Sequence, residues 1–177
     1  MRFNKTYKTC LVLSILLGIS RLAFSEEYLG EYLIKVSFSQ ARLTLFEGEK
    51  KLKEFPVALP RVTPQLPIRG KVLRIEKDPF WFPTLETRRF YSKKRKVDLP
   101  LIVKPGDPKN AMGKAKIIIK FETPDTDPRI RIHGTNDRDS IGQRVSRGCI
   151  RMYNEDILEL ISITENKTTM VLFVVDQ

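Results

Sequence analysis

Histidine occurs once in this 177-residue chain, at His133, and cysteine only twice, at Cys10 and Cys149. So little imidazole and thiol excludes a disulfide-stapled fold and falls short of the three or four ligands of a protein zinc site. Acids are outnumbered, 21 against 32 Lys and Arg, for a formal charge of +11. No repeat, low-complexity tract or internal linker argues for a second domain. The stretch "NDRDS" (136–140) invites a calcium reading. It lacks the glycine and closing glutamate of a calcium loop, and reads better as a turn.

The N-terminus has the layout of a cleaved secretory leader, residues 1–25. Arg2, Lys5 and Lys8 form its basic head, Cys10 to Ser20 its apolar middle, and Ala23 and Ser25 the small residues before a cut at Glu26. The apolar middle is about half the roughly 20 residues of a membrane span, so export into the periplasm or cell envelope is the expected fate. Residues 26–177 then form one domain, large enough for a real core. Loss of the leader removes Arg2, Lys5, Lys8 and Arg21, taking the charge from +11 to +7, and leaves Cys149 as a lone thiol in an oxidising compartment. Outside the cytoplasm, that charge points to anionic envelope polymers or membrane surfaces before nucleic acid. A basic surface that only aids solubility is the bland alternative, and oligomeric state is not legible.

The pattern is mainly β, with one or two short helices. Tyr32, Ile34, Val36 and Phe38 alternate with Leu33, Lys35 and Ser37, and "RLTLFEGEKKLKEFPVAL" adds two runs around a Glu47-Gly48-Glu49 turn. Lys71 to Ile75, "KAKIIIKF" and "TTMVLFVVD" read as further strands. Phe80, Trp81 and Phe82 form an aromatic set suited to walling a pocket, with Trp81 a candidate for substrate contact. The charge run from Glu86 to Lys96 reads as an exposed loop or solvated face, with Phe90 and Tyr91 interleaved as in a lid. Asn154 is placed to cap a short helix with Glu155 and Asp156 in its first turn and Ile157, Leu158, Leu160 and Ile161 as its buried stripe.

The chemistry gathers between Arg131 and Asp156. His133 ends an alternating strand, "RIRIH", on its polar face, and a loop rich in Gly, Asn, Asp and Ser leads on to "SRGC". A thiol attacks only as thiolate, and an imidazole can take its proton, so a Cys-His nucleophile needs the two side chains to converge from separate segments. Gly148 permits positive φ or close approach of a substrate, and the N–H groups of Arg147, Gly148 and Cys149 can face one oxyanion. Taken singly, His133 reads as a structural hydrogen-bonder and Cys149 as a small hydrophobe. Together in one glycine-rich segment they favour chemistry.

At these residues the chain resembles the L,D-transpeptidase catalytic domain of bacterial cell-wall enzymes. The resemblance rests on "IHGTN" (Ile132 to Asn136), "SIG" (Ser140 to Gly142) and "SRGCIRMYNEDI" (Ser146 to Ile157), with weaker echoes over nearly all of 26–177. It implies a β-sandwich-like domain of mixed sheets and a cysteine acyl transfer needing no metal or cofactor. Cys149 matches the nucleophile, His133 its base, and Gly134 the position whose carbonyl orients the imidazole. Ser146 matches the motif serine that supports the site, and Arg151 is a candidate for a stem carboxylate or a structural salt bridge. The implied substrates are peptidoglycan stem peptides, with a neighbouring stem or an envelope lipoprotein as acyl acceptor. A stem-trimming hydrolase and a non-catalytic wall-binding module are the alternatives. Two departures stand out. Arg147 replaces a common histidine, which adds positive charge expected to favour thiolate and fast alkylation near pH 6–7. The usual small turn in "VALPRVTPQLPIRG" is also altered.

Overall fold

The computed structural model describes residues 30–127 and 129–176, so the expected leader lies outside the described residues. Strands β1 (Tyr32–Ser37), β2 (Arg42–Glu47) and β3 (Lys50–Pro56) follow one another as antiparallel neighbours. Their alternation is the reason: Ile34, Val36, Leu43 and Leu45 all point into one core while polar partners face out. The turn between β2 and β3 falls at Gly48, whose φ of 55° is the left-handed conformation glycine adopts without cost.

Strand β4 (Leu59–Pro60) leaves this group, and β5 (Ile68–Lys77) enters the main sheet. β6 (Ala115–Phe121) pairs antiparallel with β5, and β7 (Arg131–His133) antiparallel with β6. After β8 (Arg144–Ser146) comes β9 (Ile150–Arg151), which lies parallel to β7. β10 (Thr169–Val174) returns to sit parallel to β1 and antiparallel to β5. The result is a curled, mixed eight-stranded sheet in the order β3-β2-β1-β10-β5-β6-β7-β9, with β4 and β8 as a small parallel pair beside it. The second layer is therefore slight, and a single sheet wraps most of the core.

Among the described residues, two α-helices complete the fold. α2 (Asn154–Thr164) carries Glu155 and Asp156 in its first turn and buries Ile157, Leu160, Ile161 and Thr164. Leu158, expected in the buried stripe, is 40% exposed, because it lies about 100° around the helix from Ile157, at the edge of the stripe that Ile157, Leu160, Ile161 and Thr164 centre on the core. Each apolar side chain buried this way stabilises the fold by about 1.5–3 kcal/mol.

The run Glu86 to Lys96 is helical rather than a loop. α1 (Leu85–Phe90) continues into a π-turn over Tyr91–Arg95. Thr84 caps α1, its hydroxyl accepting the Thr87 N–H at 3.1 Å. Neither piece has a buried residue, which is why no apolar stripe announced it and why the solvated face was the part of the expectation that held. The aromatic set beside it divides. Trp81 is 9% exposed and packs with Leu99 and Val103, while Phe80 and Phe82 stay at the surface.

Candidate active site

The pairing of β7 with β9 places the chemistry. Ile132 lies opposite Ile150 and His133 opposite Arg151, in parallel. Ile132 and Ile150 are fully buried in the core, so alternation sends Arg131, His133, Cys149 and Arg151 to the other face. That face borders a cavity of about 730 Å³, and all four side chains line it. Cys149 stands one residue before β9, beside Arg131 and diagonal to His133. One strand across and two residues along is about 8 Å between Cα atoms, a gap that a cysteine and an imidazole leaning toward each other can close. The chain interval also has its reason. A parallel return needs a crossover of about a dozen residues or more, and here the 3-10 turn Arg138–Ser140 and β8 occupy it.

His133 is 2% exposed. Its Nδ1 lies 2.5 Å from the Gly134 carbonyl, which can only accept, so Nδ1 carries the proton and Nε2 is the basic nitrogen. Burial lowers its pKa from 6.5 to about 4; the Gly134 bond opposes this, and the charges of Arg151 and Lys116 add to it. Burial pushes the Cys149 thiol up, against smaller opposing effects from the Arg131 backbone and the charges of Arg131 and Arg151. The thiol rests 3.7 Å from the Arg129 carbonyl. Both directions favour neutral partners at rest, against the direction expected from a nearby cation alone. Desolvation outweighs the nearby cations.

The Ser146–Cys149 turn is closed by its serine. Ser146 Oγ donates to the Cys149 carbonyl at 2.5 Å and accepts the Gly148 N–H at 3.3 Å. Gly148 has φ of 143°, open to glycine and strained for other residues. Its N–H is engaged inside the turn by the Ser146 hydroxyl. Arg147 itself turns away. Its guanidinium lies 5.0 Å over the Phe90 ring, 3.3 Å from Thr87 Oγ1 and 3.5 Å from Glu86 Oε1, anchoring α1 at the rim. Arg131 and Arg151 act on the thiol, and Arg129 interacts with it electrostatically as well. Arg151 Nη1 lies 3.5 Å from Asp137 Oδ2, an oxygen that Arg95 also approaches at 3.8 Å. Trp81 borders the cavity, largely buried and in edge contact with Tyr91 at 6.1 Å between ring centres.

Asn154 was expected to cap α2. The helix instead starts at Asn154, and Tyr153 in the capping position makes no side-chain bond. The Asn154 amide works across the fold, with Oδ1 accepting the Lys114 N–H at 2.9 Å and Nδ2 donating to the Thr135 carbonyl at 3.0 Å. It is wedged against Gly134, where a Cβ would come within 2.3 Å of Oδ1. Only a packed structure reveals this, since nothing local marks the residue as a tie. Asn154→Ala should cost about 1–3 kcal/mol by orphaning both backbone groups. Denaturant unfolding with an unchanged midpoint would refute that tie. Among the described residues, no three His, Cys, Asp or Glu side chains are grouped to hold a metal ion.

The catalytic-domain model of the L,D-transpeptidases, YkuD, matches residues 31–172. The chain is 32% identical over 137 residues to a Bacillus licheniformis protein provisionally named L,D-transpeptidase YkuD, covering 77% of this chain and 62% of that one. It is 37% identical over 128 residues to the provisionally named L,D-transpeptidase ErfK/SrfK of Salmonella typhimurium, covering 70% and 38%. It thus spans less than two thirds of either relative. The fold is similar to that of L,D-transpeptidase 3 from Mycobacterium tuberculosis, with TM-score 0.54, 14% identity, and coverage of 82% of this chain and 61% of that one. It is equally similar to the helical cell shape determining protein of Campylobacter jejuni, with TM-score 0.54, 15% identity, and coverage of 84% and 48%. At such identities these two similarities speak for the fold alone.

Proposed function

Since this chain belongs to the L,D-transpeptidase catalytic domain family, we propose that it transfers acyl groups between peptidoglycan stem peptides through a thioester on Cys149. The observation that carries the reading is the shared cavity face of β7 and β9, with His133 Nδ1 tied to the Gly134 carbonyl so that Nε2 is the free base. Cys149 attacks the carbonyl of the third, diamino acid residue of a tetrapeptide stem. His133 Nε2 takes the thiol proton as the sulfur–carbon bond forms, because the resting pair is neutral. The N–H groups of Arg147 and Cys149 receive the developing oxyanion. The imidazolium then returns its proton to the departing amine of the terminal D-alanine, and the thioester remains. An acceptor amine gives its proton to Nε2 as it attacks, which restores the thiol and forms the new amide. Exported to the cell envelope, the enzyme makes 3–3 cross-links when the amine belongs to a neighbouring stem. It anchors a protein when the amine is a lipoprotein lysine.

Purified protein incubated with tetrapeptide muropeptides tests this. Dimers with a 3–3 linkage, absent with Cys149→Ala, are the expected products. Tripeptide alone would make the protein a stem-trimming hydrolase, and unchanged substrate would leave it a wall-binding module.

A further inference from the structure

The segment from Phe80 to Lys104 is an excursion from the sheet with a small core of its own. Its two ends are joined by an antiparallel bridge, the Trp81 N–H donating to the Val103 carbonyl at 3.0 Å and the Val103 N–H to the Trp81 carbonyl at 2.9 Å. Trp81 and Val103 point inward onto Leu99. Alternation therefore puts Phe80, Phe82, Ile102 and Lys104 together on the outer face, with Phe82 across from Ile102 and Phe80 across from Lys104. Phe82 is 64% exposed and Phe80 and Ile102 about half exposed, and Leu85 and Leu101 add to the apolar surface. Most of the exposed large hydrophobic residues of the described chain fall in this one segment.

The charge around them is mostly positive, with Glu86 and Asp98 the two acids of the segment. Arg89 lies four residues after Leu85, on the same face of α1, and Lys104 belongs to the apolar face itself. Lys93, Lys94 and Lys96 follow in and after the π-turn. All five cations are exposed, and none has a carboxylate partner among the described residues, although Arg147, Arg95 and Arg138 elsewhere at the site all do. Apolar side chains that insert shallowly, with unpaired cations on the same segment, match the interface of an anionic bilayer. They match an apolar protein partner poorly, since it would leave five charges desolvated or idle. No helix among the described residues is long and apolar enough to span a membrane, so the contact is peripheral.

We propose that the Phe80–Lys104 surface docks on an anionic phospholipid membrane, with Phe82, Ile102 and Leu85 in the headgroup layer and Arg89, Lys93, Lys94, Lys96 and Lys104 on lipid phosphates. Phe80 and Phe82 also border the cavity, so docking turns its mouth toward the bilayer.

Trp81 is the only tryptophan and sits one side-chain layer behind the docking face, which gives a direct readout. The full chain is mixed with vesicles of brominated phosphatidylglycerol and with vesicles of brominated phosphatidylcholine. Trp81 emission should be quenched by the anionic vesicles, at least about tenfold more weakly in apparent affinity by the neutral ones, and less at about 0.5 M salt. Phe82→Ser/Ile102→Ser and Lys93→Glu/Lys94→Glu should each weaken the quenching about tenfold or more. These residues are exposed, and thermal melting checks that both variants fold. The N-terminal apolar stretch is common to every chain tested and cancels in the comparison. Vesicle binding without Trp81 quenching would overturn the proposal, as would equal quenching of wild type and variants. A dimer abolished by Phe82→Ser/Ile102→Ser with no vesicle binding would also overturn it, and make the occupant a second copy.

Discussion

With Cys149→Ala, a carbapenem should leave no covalent adduct on the protein, and with His133→Ala the adduct should form about 10²–10⁴-fold more slowly than on the wild type. A carbapenem offers Cys149 a strained acyl group, so intact-mass spectrometry reads the first half of the proposed reaction without an acceptor. The His133 effect is large because the resting thiol is neutral. Burial holds its pKa up, so attack leans on a base to take the proton. An adduct appearing at the wild-type rate in His133→Ala would mean that another group accepts the proton. The pH profile carries a sharper signature. An imidazole with a pKa of about 4 stays basic through pH 5, so acylation should persist there and fall by half only near pH 4. A solvent-exposed histidine would lose half its activity near 6.5. Alkylation should follow the same logic. Peptide mapping should find Cys149 slower to react with iodoacetamide than a small thiol at pH 6–7, and equal rates would remove burial as the controlling influence.

The same buried imidazole should make the fold acid-sensitive in a specific window. The unfolded chain protonates His133 near 6.5 and the folded chain near 4, so between those values the unfolded state binds the additional proton. Stability is therefore complete above pH 6.5 and is lost as pH falls, by roughly 2 kcal/mol at pH 5 and on the order of 3 kcal/mol near pH 4. The paired carboxylates, such as Asp127 beside Arg129 and Glu76 beside Lys116, are also held below their ordinary values and weaken the fold mostly under pH 4.5. Comparing wild type with His133→Gln in urea at pH 7 and pH 5 separates the two. The variant, which carries no titrating group there, should lose about 2 kcal/mol less. Parallel losses in both proteins would show that His133 is not the group responsible.

Legibility in the sequence followed the range of the interaction involved. Ile34, Val36, Leu43 and Leu45 face the core as their alternation predicts, and Gly48 makes the turn, because strands and tight turns are written in neighbouring residues. His133, Gly134, Ser146, Gly148 and Cys149 reach one site because their motifs frame the two sides of a single crossover. α1 was missed because its helical character lies in charged residues and a Thr84 cap, with no apolar stripe to count. Thr84 followed by Glu86, just after Pro83, was the available signal. Arg147 was misplaced for a different reason. Distance in sequence put it next to Cys149, but Phe90, Thr87 and Glu86 compete for its guanidinium from a segment far away in the chain.

The sequence by itself determined which groups are available: one imidazole, a glycine-flanked thiol, a basic surface, and strands whose alternation assigns each side chain to a face. Tertiary structure alone decided that β9 returns parallel to β7, that Asn154 holds the loop behind Gly134, and that His133 and Cys149 sit where burial favours their neutral forms. The division is physical. Periodicity and turn preference are local and survive in a one-dimensional pattern, whereas strand partners and dielectric surroundings are set by residues brought together only when the sheet closes on its core.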